Sequence, residues 1–169
     1  MKILGVYMFK IVLCVLLIFA CFMLGYFLSK KLKTRKNFWA DVVDLCDNLI
    51  LNISFGHKKV KEIILEFLPS CRAECSSLLD NIVKSDFDKN KFSFEGLDLD
   101  LSFEEVKYLE EFFSQIGEYD SESEAEKIKK YKSVFSVFLD KSEQKLKRYS
   151  PLYIKLSIIA GLVISIIFI

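Results

Sequence analysis

Residues 121–169 read SESEAEKIKKYKSVFSVFLDKSEQKLKRYSPLYIKLSIIAGLVISIIFI. The stretch passes from an acidic run, Ser121 to Glu126, through a lysine-rich stem to an apolar tail, Leu152–Ile169. Ile128, Tyr131, Phe135, Phe138 and Ser142 recur at steps of three and four, the spacing of a helix–helix seam. Together these features predict one long helix that packs in a polar environment and then enters a bilayer. Pro151 falls between the two parts and predicts a kink at the membrane surface.

Working outward, Ile11–Leu28 (IVLCVLLIFACFMLGYFL) is a second uncharged apolar run. Its eighteen residues would span about 27 Å as a helix, against a hydrocarbon core of ~30 Å. Residues 3–9 lengthen it, interrupted by Lys10. A cleaved signal peptide fits poorly, because the apolar run continues beyond bulky Phe19 and Ala20-Cys21. Lys30, Lys31, Lys33, Arg35 and Lys36 follow this run, whereas Lys141, Lys145, Lys147 and Arg148 precede the other. Both flanks obey the positive-inside bias when the middle of the chain lies in the cytoplasm. The expectation is an all-α membrane protein of 169 residues. Transmembrane helices over 3–28 and 152–169 flank a basic juxtamembrane segment, 29–36, and a small cytoplasmic helical bundle, 37–149.

The middle carries helical periodicity throughout. Asn37 is the expected N-cap of a helix buried on Phe38, Trp39, Val42, Leu45, Cys46, Leu49 and Ile53, with Asp41, Asp44 and Asp47 on its polar face. Phe55-Gly56-His57 predicts a turn, and Val60 to Leu68 a short helix stopped by Pro69. A third helix is expected from about Ser70 to Lys84, and residues 85–101 form the least regular piece, with an unsupported edge strand conceivable at 91–94. Ser102 and Glu105 have capping-box spacing before a helix that Gly117 closes, and Ser121 with Glu124 repeats that spacing.

Charge is unevenly placed although the net is only +1. From Glu95 to Glu126 twelve carboxylates face one lysine. A solvated docking face for a basic partner is the expected role of Glu104, Glu105, Glu110, Glu111, Glu118, Asp120, Glu122 and Glu124. The block lacks the ligand spacing of a calcium loop. His57 is the single histidine and sits in a turn. Cys71 and Cys75 lie four apart, but no further Cys or His pair completes a metal site. Phosphate loops, GxSxG and HExxH are missing from the sequence, so no catalytic residue, cofactor or metal is expected. No basic groove interleaved with aromatics suggests nucleic acid. With Cys14 and Cys21 in the first span and the other three cysteines expected in a reducing compartment, disulfides are not expected. In the spans, Cys21, Gly25 and Ser29, and Ser157, Gly161 and Ser165, recur every four residues. Small residues at that spacing let helices approach closely, within one hairpin or between copies.

The chain resembles the stage III sporulation protein AB family of endospore-forming bacteria. The resemblance rests on the Met1-Lys2-Ile3-Leu4-Gly5 start, on Leu45 to Ile53 leading into Ser54-Phe55-Gly56-His57-Lys58, on Phe113-Ser114-Gln115-Ile116-Gly117 with Asp120, and on Leu156 to Leu162 near the end. Lys58-Lys59 stand where the family often has proline, and Glu124 where glutamine is common. The resemblance implies a membrane component of a mother-cell complex, similar to the inner-membrane platform proteins of type II secretion. It implies a non-catalytic scaffold that works with other membrane subunits and a cytoplasmic secretion-type ATPase. From another class, a stand-alone membrane regulator or sensor would bind its ligand through residues 85–101.

Overall fold

The computed structural model describes residues 2–56, 59–85, 99–116 and 121–168, with side chains described over 12–54, 59–85, 99–116 and 123–167. Among the described residues five α-helices follow one another: α1 (Lys2–Gly56), α2 (Val60–Phe67), α3 (Ala73–Lys84), α4 (Phe103–Gln115) and α5 (Ser121–Phe168), with a 3-10 turn at Leu68–Ser70. Among the described residues there is no strand. The strand considered at 91–94 lies outside them. The chain divides into two compact units, residues 34–142 and residues 1–33 with 143–169.

One expected helix start is missing. Asn37 does not cap a new helix, because α1 runs unbroken from Lys2 to Gly56. No glycine or proline lies between Gly25 and Gly56 to interrupt the hydrogen-bond ladder. Asn37 instead offers its backbone carbonyl to Arg72 Nη1 at 3.2 Å. As expected from the sequence, α5 is one long helix that continues through Pro151. Proline removes the bond to the Lys147 carbonyl and crowds that oxygen with its ring, at an exposed position where other partners can reach it.

In the unit 34–142, α1 buries a stripe at three-four spacing, from Phe38 and Trp39 to Ile53. Ile63 and Ile64 of α2, Cys75, Leu78, Leu79 and Ile82 of α3, Leu109, Phe112 and Phe113 of α4, and the predicted seam of α5 close over it. The centre is aromatic. Trp39 lies 5.6 Å from Phe135 and 5.0 Å from Phe138, ring centre to ring centre, and Phe112 meets Phe135 edge-on at 5.2 Å. Such pairs add about 0.5–1.5 kcal/mol beyond their area burial. Trp39 Nε1 has no acceptor among the described residues, a cost accepted for burying the whole indole.

Local chemistry explains the helix ends. Ser102 Oγ accepts the Glu105 amide at 3.3 Å while Glu105 Oε2 accepts the Ser102 amide at 2.7 Å, the expected capping box. Ser121 is already inside α5 and its side chain is outside the described set, as is Gly117. Pro69 falls in the 3-10 turn that ends α2, and α3 begins at Ala73 rather than Ser70. Arg72, extended at the N-cap of α3, donates its amide to Asp41 Oδ2 at 3.0 Å and its guanidinium to Asp41 Oδ1 at 2.5 Å. Asp41 therefore does not share the exposed face of Asp44: it is buried and ties the start of α3 to α1. Burial raises the pKa of its carboxyl, while the Arg72 amide and guanidinium oppose that rise.

Phe135 is completely buried between Trp39 and Phe112, whereas Val137, two residues on, is 49% exposed. Phe135→Ala should cost about 3–5 kcal/mol of stability and Val137→Ala no more than ~0.5 kcal/mol, measured by thermal unfolding of the full chain in detergent. Equal losses would show that the aromatic centre does not organise this unit.

Candidate membrane-span and docking surfaces

Near the chain ends, α1 and α5 each carry an apolar window long enough to cross a membrane, and only 11% of each window is buried. Leu16, Phe19 and Leu24 on α1, and Ile159, Val163 and Ile166 on α5, stand exposed. Such a surface is tolerable in lipid and unfavourable in water.

Small residues line the contact between these segments. A Cβ built on Gly25 would lie 2.9 Å from the Tyr153 carbonyl oxygen, a backbone atom that cannot yield. One on Gly161 would lie 3.2 Å from both Cys21 Cβ and Ile18 Cα. Ser157 donates to the Ile154 carbonyl at 2.9 Å within its own helix, whereas the Ser165 hydroxyl reaches both the Gly161 carbonyl at 2.8 Å and, across the pair, the Cys14 carbonyl at 3.5 Å. Cys14 Sγ lies 3.8 Å from the Ser165 carbonyl, and Ser29 Oγ lies 2.5 Å from Ser150 Oγ. Fifteen residues separate Cys14 from Ser29, and fifteen separate Ser150 from Ser165. The helices therefore run antiparallel and in step over about 22 Å. Of the two uses foreseen for the small residues, Cys21, Gly25, Ser157, Gly161 and Ser165 serve the contact within one chain. Ser150 was not singled out by the sequence, because its role depends on facing Ser29.

The acidic block does not form one surface. Glu104 is exposed, and Glu110 and Glu111 are half-buried on α4, where Lys107 approaches Glu111 at 3.9 Å. Glu105 faces inward at 4% exposure: both its oxygens accept Arg35 Nη2 at 2.8 Å while one caps α4. Arg35 also donates to the Asp100 carbonyl, so it leaves the basic juxtamembrane set to fasten the entrance of α4 onto α1. No spacing in the sequence announces this pair, which joins positions seventy residues apart. Glu124 is buried too, beside Phe112, Gln115 and Tyr131 around a cavity of about 10 Å³. Glu118 and Asp120 lie outside the described residues, and the side chain of Glu122 is not described. Among the described candidates the remainder that reaches solvent is thus exposed Glu104 with half-buried Glu110 and Glu111.

The cysteines are packing groups or hydrogen-bond partners. Cys71 precedes α3 in extended conformation and does not share a helical face with Cys75, contrary to the four-residue spacing. The thiols still interact: the hydrogen bond between them lowers the pKa of Cys71 and raises that of Cys75, with burial adding to the latter. Burial, with Asp47 nearby, pushes Cys46 up to about 12. All five cysteines are free thiols, and no metal-holding cluster occurs among the described residues. Gly56 is the last residue of α1, while His57 and the turn expected there lie outside the described set.

Two membrane-length apolar helices paired through small residues, with a closed aromatic core in a separate compact unit, define an all-α protein suited to membrane association. The chain belongs to the stage III sporulation protein AB family, whose model matches residues 10–169, nearly the whole length. No curated protein and no solved structure matches the chain.

Glu105→Ala should destabilise the full chain by about 3–5 kcal/mol, because it strands a largely buried guanidinium and removes a cap. Thermal unfolding in detergent measures this, and a loss below ~0.5 kcal/mol would make the pair dispensable. Separately, a Ser29→Cys, Ser150→Cys double variant should oxidise to a crosslink visible by peptide mass spectrometry. Adding Gly25→Leu should reduce that crosslink to background; full retention would refute close packing at Gly25.

Proposed function

We propose that this sporulation protein is a non-catalytic membrane platform subunit of a secretion-like complex. Residues 1–33 and 143–169 form a two-helix membrane hairpin. The helical unit 34–142 stays in the cytoplasm, where it docks a secretion-type ATPase and other membrane subunits. The observation that carries this reading is the pairing of two exposed apolar helices in step within one chain, with basic residues following one and preceding the other. Family membership supports a sporulation role. Exposed Glu104 and half-buried Glu110 and Glu111 of α4 support a basic partner, since complementary charge steers encounter and suppresses wrong partners. The alternative sensor reading used residues 85–101, most of which lie outside the described set, and no observation favours it.

The docking face is narrower than the sequence suggests, because Glu105 and Glu124 are buried. Glu104→Lys, Glu110→Lys, Glu111→Lys together should lower co-purification of a co-expressed cytoplasmic ATPase of the same gene cluster by at least about tenfold. The protein should remain in the membrane fraction. Unchanged co-purification would rule out this face as the docking site.

A further inference from the structure

The contact between Ser29 and Ser150 marks a level on both apolar helices, and bases crowd against it from one side only. On α1 these are Lys30, Lys31 and Lys33; on α5 they are Lys145, Lys147 and Arg148, and all six are exposed. Continuing the antiparallel register places 30–33 opposite 146–149. Each set spans four residues of helix, about 6 Å along the axis. The polar headgroup region of a bilayer adds about 5–8 Å to each side of its hydrocarbon core. Two stop-transfer flanks thus merge into one band as thick as a headgroup layer. Within it Glu143 lies 3.0 Å from Lys147 and offsets part of that charge.

The neighbouring side chains fit the same level. Tyr26 is exposed one turn below Ser29, and Tyr149 stacks on Tyr153 at 6.2 Å. Arg148 lies 5.6 Å from the Tyr149 ring. Tyrosines with an apolar body and a polar tip favour the membrane interface. Below the serine contact the only base with a described side chain is Lys155, exposed and about 7 Å deeper, within snorkelling reach of the same layer.

We propose that this band is a binding surface for anionic phospholipid headgroups, formed only when α1 and α5 pair. The inference rests on the membrane-hairpin reading and adds a lipid preference to it. A lone juxtamembrane triplet attracts anionic lipid weakly. Cations held at one level around the contact, with Lys30, Lys33, Lys145 and Arg148 foremost, present ammonium and guanidinium groups to several phosphates at once, and each adds to the attraction. A zwitterionic headgroup offers the phosphate but cancels the field with its own cation, so net lipid charge is the discriminating property.

The test uses the full chain in neutral detergent, titrated with fluorescent phosphatidylglycerol or phosphatidylcholine. Saturable binding is expected for phosphatidylglycerol alone, weakening as sodium chloride rises from roughly 50 to 500 mM. Lys30→Gln, Lys33→Gln, Arg148→Gln should raise the Kd at least about tenfold. Lys129→Gln, Lys130→Gln, Lys141→Gln removes equal charge from α5 away from the band and should leave the Kd unchanged. Excess inorganic phosphate should not compete. Equal binding of both lipids, salt-independent binding, equal losses in the two triple variants, or competition by free phosphate would each overturn the proposal. Extraction of the native chain from membranes at high pH tests the hairpin separately. Resistance to extraction without lipid preference would overturn the headgroup surface alone, whereas release would overturn the membrane reading itself.

Discussion

α1 pairs with α5 in both compact units, and it does so by different physics in each. In residues 34–142 the pair is held by bulk, with Trp39 set against Phe135 and Phe138. There the driving force is removal of large apolar surfaces from water. In the other unit, set in the proposed bilayer, lipid tails are as apolar as the side chains they touch, so burial gains little. Gly25 and Gly161 instead allow close backbone approach, with Cys21, Ser29 and Ser157 filling the contact. The same two helices therefore change composition along their length, from large residues at their contact to small ones.

Polar burial adds definition to the aromatic core. Arg35 with Glu105 and Asp41 with Arg72 each link α1 to the beginning of another helix. Both pairs use backbone groups as well as charges: Glu105 caps α4, and Asp41 accepts the Arg72 amide. Apolar packing alone would permit small slides of α3 and α4 along α1. A paired carboxylate with these extra hydrogen bonds tolerates far less displacement. Lys132 and Asp47, at 2.5 Å but half in solvent, contribute less, since water competes for both groups.

Periodic and local features were legible in the residues. The seam of Ile128, Phe135 and Phe138 is buried as its spacing implied, and the Ser102–Glu105 capping box forms because its partners sit three residues apart. Helix type and the apolar lengths needed for membrane spans were equally readable. Errors arose where a local signal met a tertiary partner. Asn37 looked like a helix start, yet a cap matters only where a helix begins, and α1 is already helical there. Asp41 looked like a solvent-facing acid until Arg72 approached it. Glu105 and Glu124 belonged by composition to an acidic surface but are buried.

The order of residues by itself determined the helices, the position of the two apolar windows, one capped end and the aromatic stripe, because each depends on neighbours within a few residues. Tertiary structure decided which polar groups face inward, that Cys71 stands outside α3, and that Ser29 meets Ser150 across 121 positions. Those outcomes depend on distances between segments that no local spacing encodes. A carboxylate, thiol or hydroxyl takes its role from what packing brings to it.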